Sequence, residues 1–228
     1  DYGMVIVDEC HHVSSVCFEQ VLRQVTATFV YGLTATPIRK DGHQPIIFMQ
    51  CGKIRFTADA KSQMENQGFK RLLIPRFTSF RSITSDRKTY VQITQELSED
   101  KVRNEFVMED IKAAIQKGRT PLVLTTRTAH VKVLAQMLMP FADHVIQLIG
   151  ADSAKEKRLA LQNLQSIPTS ESLVIVATGK YVGEGFDYPR LDTLFLTMPI
   201  AWKGNVEQYA GRLHRECEGK SEVCIYDY

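Results

Sequence analysis

Two short stretches carry side chains whose types and spacing suit chemistry. In "MVIVDECHH", the apolar run Met4 to Val7 ends in Asp8 and Glu9. Such a run reads as a strand, and in open α/β sheets ligands bind outside the carboxyl ends of strands. Carboxylates placed there suit Mg²⁺, which prefers oxygen ligands and keeps part of its water shell, and a neighbouring carboxylate can activate water. Taken alone, the pair also fits two solvated residues that open a loop, since an apolar run followed by an acid is common in such folds. In "GNVEQYAGRLHRECEG" at 204–219, Asn205 is placed to cap a helix, with Gln208 three residues on and Gly219 as a stop. On one continuous helix Gln208, Arg212 and Arg215 fall at i, i+4 and i+7, within roughly 40° of one another. Two guanidinium groups so close weaken a helix slightly, but they match phosphate oxygens bidentately, so the face suits a polyphosphate. A solvated basic stripe is the plainer alternative.

Elements must hold these groups in place. Short runs rich in Val, Ile, Leu and Phe alternate with segments of helical period, the pattern of α/β parallel sheets with helices on both faces. Strands are expected at 4–7, 29–34, 71–80, 121–126, 144–149, 173–178, 193–198 and 222–227. Phe18, Val21, Leu22 and Val25 share helical spacing, as do Val107, Ile111, Ala114 and Ile115, with Gly118 placed to end that helix. Val131, Leu134, Ala135 and Leu138 give a third, and "SAKE" at 153–156 reads as a capping box that opens a fourth. The segment 38–70 carries Gly42, Pro45, Gly52 and Gly68 with little periodicity, so it reads as a crossing between two units, 1–70 and 71–228.

Composition narrows the classes. With 228 residues, 44% apolar, the chain can bury a core, and a net charge of +2 gives no global sign of nucleic acid or membrane. Five cysteines without a C-x-x-C pair fit free thiols in a reducing, intracellular compartment, and no apolar run approaches a membrane span. The spacing of Cys10, His11, His12 and Cys17 fits no standard zinc site. Trp202 could stack on a base or pack at a domain face, and Lys70, Arg71, Arg76 and Arg81 could follow a phosphate backbone or form a solvated rim.

Taken together, the motifs resemble those of the superfamily 2 helicases and translocases, DExH type. "DECH" at 8–11 looks like motif II, "TAT" at 34–36 like motif III, "ATGKYVGEGFDYP" at 177–189 like motif V and "QYAGRLHR" at 208–215 like motif VI. "LVLTTRTAH" at 122–130 and "LIGADS" at 148–153 look like motifs IV and IVa, and the nearer likeness is to the type III restriction and excision-repair kind. The resemblance implies RecA-like domains, one partial and one complete, and ATP with Mg²⁺ as cofactors. It gives Asp8 the metal, Glu9 the attacking water, and His11 a link to Thr34 and Thr36. It makes Arg212 and Arg215 arginine fingers, with Gln208 positioning water or phosphate. Gly185 and Asp187 would lie at the nucleotide, and Thr126, Gly150 and Thr178 at a nucleic-acid backbone.

The same resemblance implies carboxylates on one domain and guanidiniums on the other, with the site completed when ATP draws the two together. DNA is the implied track, with RNA the alternative, and the family leaves room for a nuclease domain or partner subunit. Only seven residues precede Asp8 and no G-x-x-x-x-G-K-[ST] loop occurs. The expectation is therefore that the phosphate-loop half of the first domain lies outside this sequence, and that the chain alone is inactive. A non-hydrolysing nucleic-acid-binding or assembly module that keeps the fold is the competing expectation.

Overall fold

In the computed structural model, residues 2–11, 16–34, 44–58, 68–82, 88–150, 153–183, 186–200 and 203–228 are described. The chain divides into two units, Asp1–Gln67 and Gly68–Tyr228.

In the first unit, β1 (Met4–Val7) and β2 (Phe29–Gly32) pair in parallel, Met4 opposite Phe29 and Val7 opposite Gly32. The connection includes α1 (Val16–Arg23), and α2 (Gln44–Cys51) follows. Side chains alternate across a strand, so Val5, Val7 and Val30 turn one way while Met4, Ile6, Phe29 and Tyr31 lie exposed on the other face. The covered side packs Cys10 and Ile47 with Val7, Leu22 and Cys51. Gly32 is required there, because a Cβ would sit 2.7 Å from the Cys10 sulfur and 3.0 Å from the Cys51 Cβ.

Helix α2 corrects the reading of 38–70 as an aperiodic crossing. Residues 45–49 are all apolar, so no amphipathic period marks the helix, yet Pro45 suits a first turn and Gly52 (φ +79°) closes the end.

The second unit is a six-stranded, all-parallel sheet. Its strands are β3 (Lys70–Pro75), β4 (Pro121–Thr125), β5 (His144–Leu148), β6 (Leu173–Thr178), β7 (Thr193–Leu196) and β8 (Glu222–Asp227), in the order β3-β8-β7-β4-β6-β5. The inner strands β4, β6 and β7 are buried at every residue, as strands covered on both faces must be. Alternation divides them between two cores. Leu122, Leu124, Ile175, Ala177, Leu194 and Leu196 pack with Leu164, Tyr181, Val182, Tyr209 and Leu213 on one face. Val123, Val174, Val176 and Phe195 meet Val107, Ile111, Val131, Leu134 and Leu138 on the other.

The helices are α3 (Tyr90–Glu99), α4 (Lys101–Gln116), α5 (Thr128–Leu138), α6 (Ala154–Ser166), α7 (Gly179–Gly183) and α8 (Lys203–Gly211). The capping box at Ser153 and Glu156 opens α6 as expected, and Gly118 (φ +72°) lies just past the end of α4. A second capping box, Thr89 with Gln92, opens α3, which the apolar spacing had not marked. Strand β3 stops at Pro75, opposite Asp227, rather than running to 80, and just beyond it the Arg76 side chain turns to Asp110.

The largest departure concerns the arginine segment. Helix α8 starts at Lys203, so Asn205 lies inside it rather than capping it, and it ends at Gly211. Arg212–His214 form a 3₁₀ turn and Arg215 is extended, at φ −71° and ψ 133°. Gln208, Arg212 and Arg215 therefore do not share the face of one helix. Gly219 (φ +81°) belongs to a turn ahead of β8 instead of ending a helix. Glycine at 211 is a weak helix former, and the carbonyls beyond it are taken by a lysine described below.

Candidate functional site

In the first unit the chain turns sharply as it leaves β1. Glu9 adopts φ +49°, a left-handed conformation that a non-glycine residue adopts at a cost of about 1–2 kcal/mol. The Asp8 carboxylate accepts the Glu9 backbone N–H at 2.8 Å, and Cys10 N–H donates to the Leu33 carbonyl at 2.9 Å, which re-joins the chain to the end of β2. Cys10 is buried and anchors the turn from inside. Burial, and then the neighbouring Cys51, pushes its thiol up, which favours the protonated form.

With Cys10 inside, its neighbours reach outward. The Glu9 carboxylate lies 3.2 Å from His11 Nδ1, and that nitrogen lies 2.9 Å from the Thr34 hydroxyl. The structure thus brings Asp8, Glu9, His11 and Thr34 to one end of the two-stranded sheet. Exposed carboxylate oxygens at a strand end are hard donors of the kind Mg²⁺ takes, so this set fits the metal of a bound nucleotide. Thr36 and His12 lie outside the described residues.

In the second unit, segments 179–189 and 209–220 are fastened to each other at four points. The Tyr209 hydroxyl comes so near Gly179 that a Cβ there would lie 2.3 Å from it, which makes glycine obligatory. Arg212 Nε donates to the Val182 carbonyl at 3.2 Å. Arg215 Nε donates to the Asp187 carboxylate at 3.2 Å, with both side chains about half exposed. Lys220 Nζ donates to the Pro189 carbonyl at 2.5 Å. Arg215 and Asp187, which the resemblance puts at the nucleotide, thus sit together at the surface. Gln208 is half-buried on α8, and Gly185 and Trp202 lie outside the described residues.

Three strand ends form a separate patch. Thr178 closes β6, and its hydroxyl accepts the Gly150 N–H at 2.9 Å, so the residue holds the loop after β5 in place. Thr126 is exposed just past β4. Its neighbour Thr125 turns inward to His130 Nδ1 at 2.9 Å, and His130 Nε2 meets the Asn104 side-chain oxygen Oδ1 at 3.0 Å. Burial, reinforced by the nearby Arg103 charge, pushes His130 down to about 4. Within the basic stretch at 70–81, Arg76 is a strut rather than a phosphate contact. It binds Asp110 twice, at 2.7 and 2.9 Å, and lies over the Phe106 ring.

Sequence reasoning missed Lys220 and the Tyr209–Gly179 contact. A lysine in a polar turn carries no pattern of its own, and Gly179 could have been recognised only as a small residue where something must approach closely.

The family profile described as type III restriction enzyme, res subunit, matches residues 1–39. A protein named Probable helicase D10, from Escherichia phage T5, is 24% identical over 226 residues, covering 99% of this chain and 48% of that protein. The structure described as S. cerevisiae Dbp5 bound to RNA and ADP BeF3 gives a TM-score of 0.63 at 13% identity, over 99% of this chain and 53% of that one. The crystal structure of T4 UvsW gives 0.51 at 19% identity, over 99% and 44%. These structural neighbours share the parallel, two-sided RecA-like architecture. The chain spans about half the length of the curated relatives it matches.

Proposed function

We propose that this chain, a relative of the superfamily 2 helicases, is part of an ATP-driven DNA helicase or translocase of the DExH type. The observation that carries the reading is the Asp8–Glu9 turn. A left-handed glutamate stands at a strand end, its carboxylate facing outward, beside a histidine that touches Thr34 just past the next strand. Strain of this kind persists where geometry serves a site.

Each residue then has a task. Asp8 would hold the magnesium of a bound nucleotide, which would supply charge neutralisation on the phosphates. Glu9 orients the attacking water and accepts its proton. His11 passes the state of that site to Thr34 through their shared hydrogen bond, and Thr36 belongs to the same link. In the second unit Arg212 and Arg215 stabilise negative charge developing on the transferred phosphoryl group, and Gln208 orients water or phosphate. Asp187, with Gly185, serves the nucleotide and keeps Arg215 paired until phosphate oxygens displace it. Thr126 and Thr178 offer hydroxyls to phosphates of the track, and Gly150, its own amide taken by Thr178, lets the backbone come close to them. The likeness of 1–39 to the restriction-enzyme family favours DNA as that track.

The test uses the full-length protein and nucleic-acid-stimulated ATP hydrolysis. Arg215→Ala and Glu9→Gln are each expected to lower kcat by roughly 10³- to 10⁵-fold, with much smaller changes in nucleotide affinity. Duplex DNA, single-stranded DNA and RNA in parallel identify the track. A wild-type protein that binds nucleic acid without hydrolysing ATP would establish the competing reading, a non-hydrolysing binding or assembly module.

A further inference from the structure

We infer that Lys220 is the positioning residue for Arg215, holding the backbone on both sides of the Arg215–Asp187 pair. This rests on the hydrolytic reading above, which gives Arg215 its task.

Helix α8 ends at Gly211, so the carbonyls that follow lack the i+4 amide partners of a continuing helix. Lys220 supplies donors to them. Its ammonium has three N–H groups, and three carbonyls receive them: Leu213 at 3.1 Å, Arg215 at 2.7 Å and Pro189 at 2.5 Å. Leu213 lies in the 3₁₀ turn, Arg215 is the extended residue after it, and Pro189 lies two residues beyond Asp187. One side chain thus ties both strands of backbone that carry the pair.

The local sequence brings the lysine there. Gly219 takes φ +81° and the Lys220 N–H closes a turn on the Cys217 carbonyl at 3.1 Å, folding the chain back under the 3₁₀ turn. The geometry also selects the residue type. Three carbonyls converging on one point suit a compact ammonium, whereas a guanidinium spreads its donors in a planar fork. Burial pushes the Lys220 ammonium down from its ordinary value, and the half-buried Asp192 carboxylate offsets part of that cost. Lys220 acts through Arg215 and does not touch the phosphates.

The experiment compares wild type, Lys220→Met and Lys220→Arg in two measurements. The first is amide hydrogen exchange at 213–216 and at Tyr188 and Arg190, with the amides of β6 as an internal reference. Lys220→Met is expected to raise exchange in those segments about tenfold and to leave β6 unchanged, which also shows that the variant folds. The second is ATP hydrolysis by the full-length protein. There kcat is expected to fall roughly 10- to 100-fold, with KM for ATP within about twofold, because a misplaced guanidinium weakens the transition state more than ground-state binding. Lys220→Arg is expected to recover only a minor part of both losses. Unchanged exchange at 213–216 would overturn the clamp. So would raised exchange with unaltered kcat, or full recovery by arginine, which would reduce the role to charge. A wild-type protein without ATP turnover would instead sink the hydrolytic reading, and the exchange measurement still reports the clamp by itself.

Discussion

The two parallel sheets of this chain bury their strands very differently. In the second unit, Ile175 and its neighbours on β4, β6 and β7 are shut off from solvent on both faces. In the first unit Met4, Ile6 and Phe29 are each more than half exposed on one face of β1 and β2, although these strands are just as apolar and just as parallel. Apolar patterning is therefore not burial. A parallel strand becomes a core strand only when helices cover both its faces, and among the described residues of the first unit the packed side chains lie on one. The chemistry falls on both sides of this contrast. Carboxylates stand at a strained turn beyond β1, while guanidiniums stand on loops fastened to the six-stranded sheet.

The contrast can be broken at its strongest point by truncating one isoleucine in each sheet. Ile175→Ala is expected to cost about 4 kcal/mol by leaving a cavity in the core on its face of the sheet, whereas Ile6→Ala is expected to cost about 0.5 kcal/mol or less in the chain of residues 1–228. Hydrogen exchange of core amides in each unit reads both, and comparable costs would mean that the exposed face of β1 is covered in solution.

The second unit alone should carry a further dependence on pH. Burial holds His130 at about 4 against an ordinary 6.5, with Arg103 adding to the effect. Because the folded-state value lies below the unfolded one, the neutral ring favours the folded state above about pH 6.5. That contribution is lost as pH falls towards about 4, and it is worth on the order of 3 kcal/mol in all. Urea unfolding of wild type and His130→Gln between pH 7 and pH 4 measures it, and the variant should show the shallower decline. The same decline in both would remove His130 from the account.

The smallest effect belongs to the turn at Glu9. Glu9→Gly is expected to be more stable than Glu9→Ala by about 1 kcal/mol, the reverse of their order in a regular helix or strand, because only glycine takes φ +49° freely. If alanine is the more stable, the turn is not strained and the argument from strain to function fails.

Much of this was legible in residue order. Each expected apolar run holds a strand among the described residues, with β2, β3 and β7 ending short of it, and β4, β6 and β7 were the plainest because a strand buried on both faces must be written as a continuous apolar segment. The box at Ser153 and Glu156 was legible for a similar reason, because both partners of that cap lie within four residues. Helix α2 was not, since its apolar residues form a block without a period. The single face expected for Gln208, Arg212 and Arg215 was lost because helical spacing says where side chains would point only if the helix continues.

What the sequence determined by itself was whatever depends on near neighbours: strands, caps, and charged residues at strand ends. The order β3-β8-β7-β4-β6-β5, the end of α8 at Gly211 and the lysine that gathers the carbonyls of Pro189, Leu213 and Arg215 were decided by tertiary structure. Each joins groups far apart in the chain, and a hydrogen bond between residues 189 and 220 leaves no trace in the spacing of either.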